Sequence, residues 1–328
     1  MNPILTKEEI ELLNSLSLGM FGFGAQGQAE ARNLHQSQVQ VKIAVRPKGA
    51  SADRAKAQGF ELLSFKEMAN SFSHILMNLP DQIQGSYFKE YLEGAPQLKA
   101  LIFSHGFASH FDQIPCKDAG PIHVLVAPKG AASGLVKLYG QAQALPAILA
   151  VKDASGERPP TVTEKQWIEA LAKAMGAHPR KLIWARFQDE AVSDLFSEQS
   201  LLCGGLAELI RSAYEVLIEN GYQPEAAYYE TLYELKLIVD LVWEFGIHGM
   251  IERISPTARY GAVTRGDRVL PAAVKERMKE VLSEIESGEF AREFLRDSDS
   301  PQFLKKLDAS AKHPIEKLHQ EIQDKLKS

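Results

Sequence analysis

The chain has 328 residues, 45% hydrophobic, 24% charged and 8% aromatic, with a formal net charge of −5 at pH 7. That length suits about two domains of ~150 residues, and the mixed charges argue against a broad nucleic-acid-binding face. Cys116 and Cys203 stand far apart, against a disulfide framework or a cysteine zinc site. No run approaches the ~20 apolar residues of a membrane span, and residues 1–18, with Lys7, Glu8, Glu9 and Glu11, do not read as a signal peptide. A cytoplasmic protein is expected, with no membrane and no nucleic-acid partner.

In chain order, short aliphatic runs at 19–21, 39–45, 74–77, 100–103, 122–126 and 147–151 read as strands, alternating with helical stretches. That alternation predicts a parallel sheet covered on both faces. Residues 153–160 read as a loop. Thr163 with Gln166 then reads as a capping box for a helix running to about Met175 and stopped by Gly176. After a last strand at 181–184, long helices are expected over 194–220, 224–245 and 271–287, with shorter ones beyond. The fold class is α/β: a Rossmann-type, doubly wound N-terminal domain over 1–182, then an all-helical domain over 183–328.

Gly22-Phe23-Gly24-Ala25-Gln26-Gly27 is a G-x-G-x-x-G between the first strand and the first helix of the sheet. The first glycine permits the tight turn, the second lets backbone approach a pyrophosphate, and the third lets helix pack on strand. The pyrophosphate meets the helix N-terminus, where free N–H groups and the dipole favour an anion. The second strand ends in Val45-Arg46-Pro47-Lys48-Gly49-Ala50-Ser51 rather than in an acidic residue. Arg46, Lys48 and Ser51 suit a 2′-phosphate, so NADP is favoured over NAD.

Asp194 with Glu198, and Glu230 with Glu234, each place two carboxylates four residues apart on a predicted helix, among apolar neighbours. Like charges at that spacing are unfavourable, and burying them requires a counter-ion. That counter-ion is either Lys236 or an arginine, or else one or two divalent cations, Mg²⁺ being the best match to hard oxygen ligands.

These segments, with Ser104-His105-Gly106-Phe107, Ala127-Pro128-Lys129-Gly130, Leu202-Cys203-Gly204-Gly205-Leu206, Gly221-Tyr222-Gln223-Pro224-Glu225 and Ile254-Ser255-Pro256-Thr257-Ala258, occur in one order along the chain. In that order they resemble the short form of ketol-acid reductoisomerase over nearly the whole length. The resemblance implies a knotted helical domain and an active site shared across a homodimer or a higher oligomer. It implies two Mg²⁺ ions, with Asp194 bridging both, Glu198 on one, and Glu230 and Glu234 supplied by the partner helix. Ser255 is implied at the substrate carboxylate, and His105, Lys129 and Glu198 as catalytic groups. NADPH is implied on Gly22, Phe23, Gly24, Ala25, Gln26, Gly27, Arg46, Lys48 and Ser51, with Pro80, Asp81 and Gly134 beside it. The implied reaction isomerises 2-acetolactate or 2-aceto-2-hydroxybutanoate by alkyl migration and then reduces the new ketone with NADPH, a step of isoleucine and valine biosynthesis. The alternatives are a paralogous NADP-dependent hydroxyacid dehydrogenase and a non-catalytic NADPH-binding dimer.

The chain departs from the family pattern at Ala25, Gln28 and Gly49, over residues 131–134 and 184–186, and at Ser197 and Arg259, while all four carboxylates are present. The remaining histidines show no metal-ligand spacing. Cys203 reads as a packing residue, Tyr228, Tyr229 and Tyr233 as core or dimer contacts, and the charged tail over 316–328 as a solvated helix.

Overall fold

A computed structural model describes residues 4–141 and 144–327. The chain divides into two units at Ser193 and Asp194.

The first unit opens with α1 (Lys7–Asn14), β1 (Leu18–Phe21), α2 (Ala25–Gln36), β2 (Lys42–Ala44), α3 (Ala50–Ala57), β3 (Leu62–Leu63) and α4 (Phe65–Ser71). It continues through β4 (His74–Met77), α5 (Asp81–Tyr87) with an appended π turn, β5 (Ala100–Phe103), α6 (Phe107–His110), β6 (Ile122–Pro128) and α7 (Ala132–Lys137). It closes with β7 (Leu145–Asp153), β8 (Gly156–Arg158), α8 (Val162–Met175), β9 (Ala177–Trp184) and most of α9 (Phe187–Ser197). The sheet order is β3-β2-β1-β4-β5-β6-β7-β8, with β9 also on β7. Every residue of β1, β4 and β5 is buried, because helices cover both faces. Leu13, Met20, Leu34, Trp167 and Met175 pack on one face; Phe21, Phe65, Met68, Phe88, Phe103 and Phe187 pack on the other.

Three expectations are corrected here. The sheet is mixed: β3 to β6 run parallel, but β7 is antiparallel to β6. Among the described residues the helix between β6 and β7 is α7, six residues and ~9 Å long, shorter than the crossover helix that commonly joins a parallel pair. Residues 153–160 are not a plain loop. Gly156, at φ +108°, turns the chain into β8, paired back onto β7 and fastened by Asp153, which accepts from the Ser155 N–H and from Arg158. The capping box uses Thr161 with Glu164, two residues before the expected pair. Both registers satisfy the motif, but Arg158 donates twice to Glu164 at 2.8 Å and selects the earlier one. The helix ends at Gly176 in the left-handed conformation.

The second unit is helical: α10 (Gly204–Glu219), α11 (Pro224–Tyr228), α12 (Glu234–Arg253), α13 (Pro256–Val269), α14 (Ala272–Glu286), α15 (Glu289–Asp297), α16 (Pro301–Ala311) and α17 (Pro314–Lys327). Two π turns interrupt the expected continuous helices, Glu198–Leu202 before α10 and Tyr229–Tyr233 before α12. The charged tail is not simply solvated. Ile315 and Ile322 of α17 are buried with Tyr214, Ala227 and Tyr228, and the Tyr228 hydroxyl meets His319 Nδ1 at 2.6 Å. Cys203 is exposed, not packed, as are Leu201 and Leu202 beside it.

Candidate active site

The sheet reverses its winding between β1 and β4, and the carboxyl ends of those strands bound a cleft of about 550 Å³. Gly22, Phe23, Gly24, Ala25, Gln26 and Gly27 form its floor, Arg46, Lys48 and Ser51 one end, and Phe65, Pro80, Ile83 and Tyr87 an apolar wall. A crevice at such a switch point is where open α/β sheets bind ligands. The glycines are explained by their surroundings. Gly22 sits at φ +97°, and a Cβ there would lie 2.4 Å from the Asn78 carbonyl oxygen. Nothing lies within 4 Å of a Cβ built on Gly24. As the uncapped N-cap of α2, Gly24 leaves the helix's first N–H groups facing that space.

Arg46, Lys48 and Ser51 all line the cleft as expected. Arg54, which the sequence reasoning passed over, donates from Nη2 to Ser51 Oγ at 3.1 Å. Its signal was available: it lies one helical turn after Ser51. Asp81 does not line the cleft. It opens α5, and its Oδ2 lies 3.4 Å from His105 Nδ1, fixing the ring that follows β5. Gly134 also lies outside the cleft lining, in the middle of α7 with its Cα side facing Leu145.

Lys129, just past β6, donates from Nζ to Glu190 Oε1 at 2.9 Å, and the other oxygen of Glu190 accepts from the Gly106 N–H at 2.7 Å. Glu190 is fully buried, and a Cβ on Gly106 would approach its carboxylate to 2.9 Å. Glu190 was missed, although its position was legible: Glu190, Asp194 and Glu198 follow each other at intervals of four. A second buried carboxylate, Glu30 of α2, accepts from Gln26, Asn78 and Ser104. Burial pushes its carboxyl above the usual carboxylate range, against those three hydrogen bonds.

In the helical unit, both carboxylate pairs fall at the π turns. Glu198 begins the first, Glu230 lies inside the second, and Glu234 follows it. A π turn widens the helix locally and is often found at functional sites. In the single chain Glu198, Glu230 and Glu234 are exposed, so the expected apolar burial of these anions is not met. Lys236 is not their counter-ion, because it pairs with Asp240 on the next turn. Among the described residues no ion pair holds Glu230 or Glu234. Each pair offers carboxylate oxygens of the kind a hard divalent cation takes, but among the described residues the two pairs do not gather into one cluster. Ser255 caps α13, accepting from the Ala258 N–H at 3.2 Å, which leaves its O–H proton available to an anion.

Residues 12–180 match the family described as "Acetohydroxy acid isomeroreductase, NADPH-binding domain", and residues 187–328 match "Ketol-acid reductoisomerase, C-terminal domain". The chain belongs to the ketol-acid reductoisomerase family. It is therefore an enzyme, an NADP-dependent oxidoreductase. A curated relative from Xanthomonas axonopodis pv. citri, "Ketol-acid reductoisomerase (NADP(+))", is 38% identical over 86% of this chain and 84% of its own length. The solved structure of an NADH-preferring ketol-acid reductoisomerase from an uncultured archean is 35% identical, with a TM-score of 0.86 over 98% of each chain. Plasmodium falciparum pyrroline carboxylate reductase, at 14% identity and a TM-score of 0.52 over 83% of this chain and 97% of its own, shares the fold alone.

Several departures from the reductoisomerase pattern have local accounts. Ser197 donates to the Asp194 carbonyl at 3.0 Å, Trp184 Nε1 donates to Glu169, and Arg259 closes the end of α12 on the carbonyls of Ile251 and Glu252. Ala131 serves as the N-cap of α7 in an extended conformation. Nothing in the structure explains Gln28 beyond its hydrogen bond to the Phe23 carbonyl.

Proposed function

We propose that this protein is a Mg²⁺-dependent isomeroreductase that converts 2-acetohydroxy acids, 2-acetolactate or 2-aceto-2-hydroxybutanoate, into 2,3-dihydroxy acids with NADPH, in the cytoplasm. The carrying observation is the pair of carboxylate-bearing π turns in a chain whose other unit holds a cleft lined by Arg46, Lys48 and Ser51. An ordinary hydroxyacid dehydrogenase needs the cleft but not the carboxylates.

Asp194, Glu198, Glu230 and Glu234 would hold two Mg²⁺ ions, which when bound acidify the substrate hydroxyl and polarise its ketone. The remaining roles belong to the chain's own groups. The uncapped N-terminus of α2 binds the pyrophosphate, and Arg46, Lys48 and Ser51 bind the 2′-phosphate. Asp81 orients His105, and Glu190 holds the Lys129 ammonium in place. Ser255 donates to the substrate carboxylate while its oxygen remains engaged as the cap.

We further read the active enzyme as a homodimer or a larger assembly in which Glu230 and Glu234 serve the partner's site. No residue of α12 is buried, and Leu237, Val239, Trp243 and Ile247 are exposed, Trp243 at 85%. α12 breaks at Gly246, at φ +75°, so Leu237, Val239 and Trp243 lie on its first segment and Ile247 on its second; apolar exposure of that extent fits a subunit interface.

The direct test is NADPH oxidation driven by 2-acetolactate, assayed with Mg²⁺ and with a chelator. Loss of turnover in the chelator, restored by added Mg²⁺, is expected. Full turnover in the chelator would instead favour a metal-free hydroxyacid dehydrogenase.

A further inference from the structure

Glu30 is an acidic residue with 0% exposure, six residues into the helix that receives the dinucleotide. Its Oε1 accepts from Gln26 Nε2 at 3.0 Å and from Ser104 Oγ at 2.6 Å, and its Oε2 accepts from Asn78 Nδ2 at 2.6 Å. Gln26 belongs to the first turn of α2 itself, four residues before Glu30, whereas Asn78 follows β4 and Ser104 follows β5, so the carboxylate joins α2 to two other segments. Gln26 and Asn78 line the cleft. Asn78 also leads into Pro80 and Asp81, and Ser104 is the residue before His105. Burying a carboxylate on neutral donors alone is unfavourable, and packing alone does not call for one here. What the carboxylate supplies is two acceptor oxygens able to serve three donors at once.

We propose that Glu30 is a positioning residue for the bound dinucleotide, tying Gln26, Asn78 and Ser104 into one arrangement so that the phosphate loop and the His105 loop are set relative to each other. The inference rests on the reading of the cleft as the NADPH site. It assigns Glu30 no contact with cofactor or substrate. Its effect passes through Gln26 and Asn78 to affinity, and through Ser104 and His105 to turnover.

The conservative variant separates this role from the need for a charge. In Glu30→Gln the amide oxygen still accepts from Gln26 and Ser104, and once the Asn78 amide turns by 180° its Oδ1, which has no hydrogen-bond partner in the structure, accepts from the new amide NH₂. The tie then survives without the carboxylate. NADPH affinity in Glu30→Gln should stay within about threefold of the parent. Glu30→Ala cuts the tie and leaves three donors unmatched, so the NADPH Kd should rise about tenfold and kcat should fall with it. Ser104→Ala removes one donor at a residue outside the cleft lining and should weaken NADPH about threefold.

The experiment is NADPH fluorescence titration and steady-state kinetics on the three variants, well below their melting temperatures, with Gly24→Asp as a control. Gly24→Asp puts an anion into the open phosphate space and should abolish NADPH binding; normal binding there overturns the cleft reading itself. With that control behaving as expected, a folded Glu30→Ala with parental Kd and kcat overturns the positioning role. Loss of NADPH affinity in Glu30→Gln as large as in Glu30→Ala also overturns it, because the tie should persist in the amide. If Glu30→Ala does not fold, Ser104→Ala decides: weakened NADPH binding supports the proposal and parental binding overturns it.

Discussion

The carboxylate of Glu190 joins the Lys129 ammonium, at 2.9 Å, to the backbone N–H of Gly106, at 2.7 Å, so one buried anion fixes residues that follow two different strands. Lys129 is partly exposed and Glu190 is not, which places the cation at the surface with its counter-charge beneath it. A lysine held this way keeps its position, as an electrostatic catalyst requires. Glu190→Gln should lower kcat by about 10–100-fold, the scale of one preorganised electrostatic group, with NADPH affinity nearly unchanged. Steady-state kinetics beside an NADPH titration checks this, and an unchanged kcat would reduce Glu190 to a packing role.

Asp194→Asn should remove acetohydroxy-acid turnover by about three orders of magnitude while leaving NADPH binding within about twofold, because a neutral amide is a poor ligand for a hard cation. Metal titration of parent and variant by calorimetry reads the same loss without relying on activity. Normal acetolactate turnover in the variant would remove the metal reading.

Arg46→Asp should raise the NADPH KM by about 30-fold, roughly 2 kcal/mol, and change the NADH KM far less, since the new anion faces the 2′-phosphate. Arg54→Ala frees Ser51 and should weaken NADPH about threefold. Equal losses for both cofactors would show that this loop does not read the 2′ position.

Asp194→Asn and Glu230→Gln chains should each be inactive alone. Co-expressed and purified as heterodimers, they contain one site with both lesions and one site with neither, so activity should return to about half of the parental level per dimer. No recovery, or a fully active monomer, would show that Glu230 serves its own chain.

His123 is fully buried, with Nδ1 2.8 Å from Ser109 Oγ, and burial first, then the charge of Lys152, lowers its pKa to about 3. Its folded value lies below the unfolded value of ~6.5, so the neutral ring contributes stability above that pH, and the contribution is lost as pH falls from 6.5 towards 3. Near pH 5 the loss should be about 2 kcal/mol. Denaturant melts of parent and His123→Gln at pH 7 and pH 5 test it: the parent should lose more stability than the variant, and parallel losses would place the titration elsewhere.

Much of this protein was readable along the chain because its chemistry is local. The turn after β1 needs Gly22 in a conformation that a side chain forbids, Arg46 and Ser51 follow a strand end, and each carboxylate pair lies within one turn of helix. Such features need only the spacing of neighbours. What only the tertiary structure decided are the pairings across long stretches of chain. Glu30 reaches Ser104 and Glu190 reaches Lys129, while β7 runs against β6 after the short α7. A buried carboxylate and a solvated one are the same letter in a sequence. The difference lies in which distant donors the fold brings within 3 Å, and the cost of burying a charge alone makes those donors obligatory. The exposed flank of α12 follows the same logic, since its apolar residues announce burial but not what buries them.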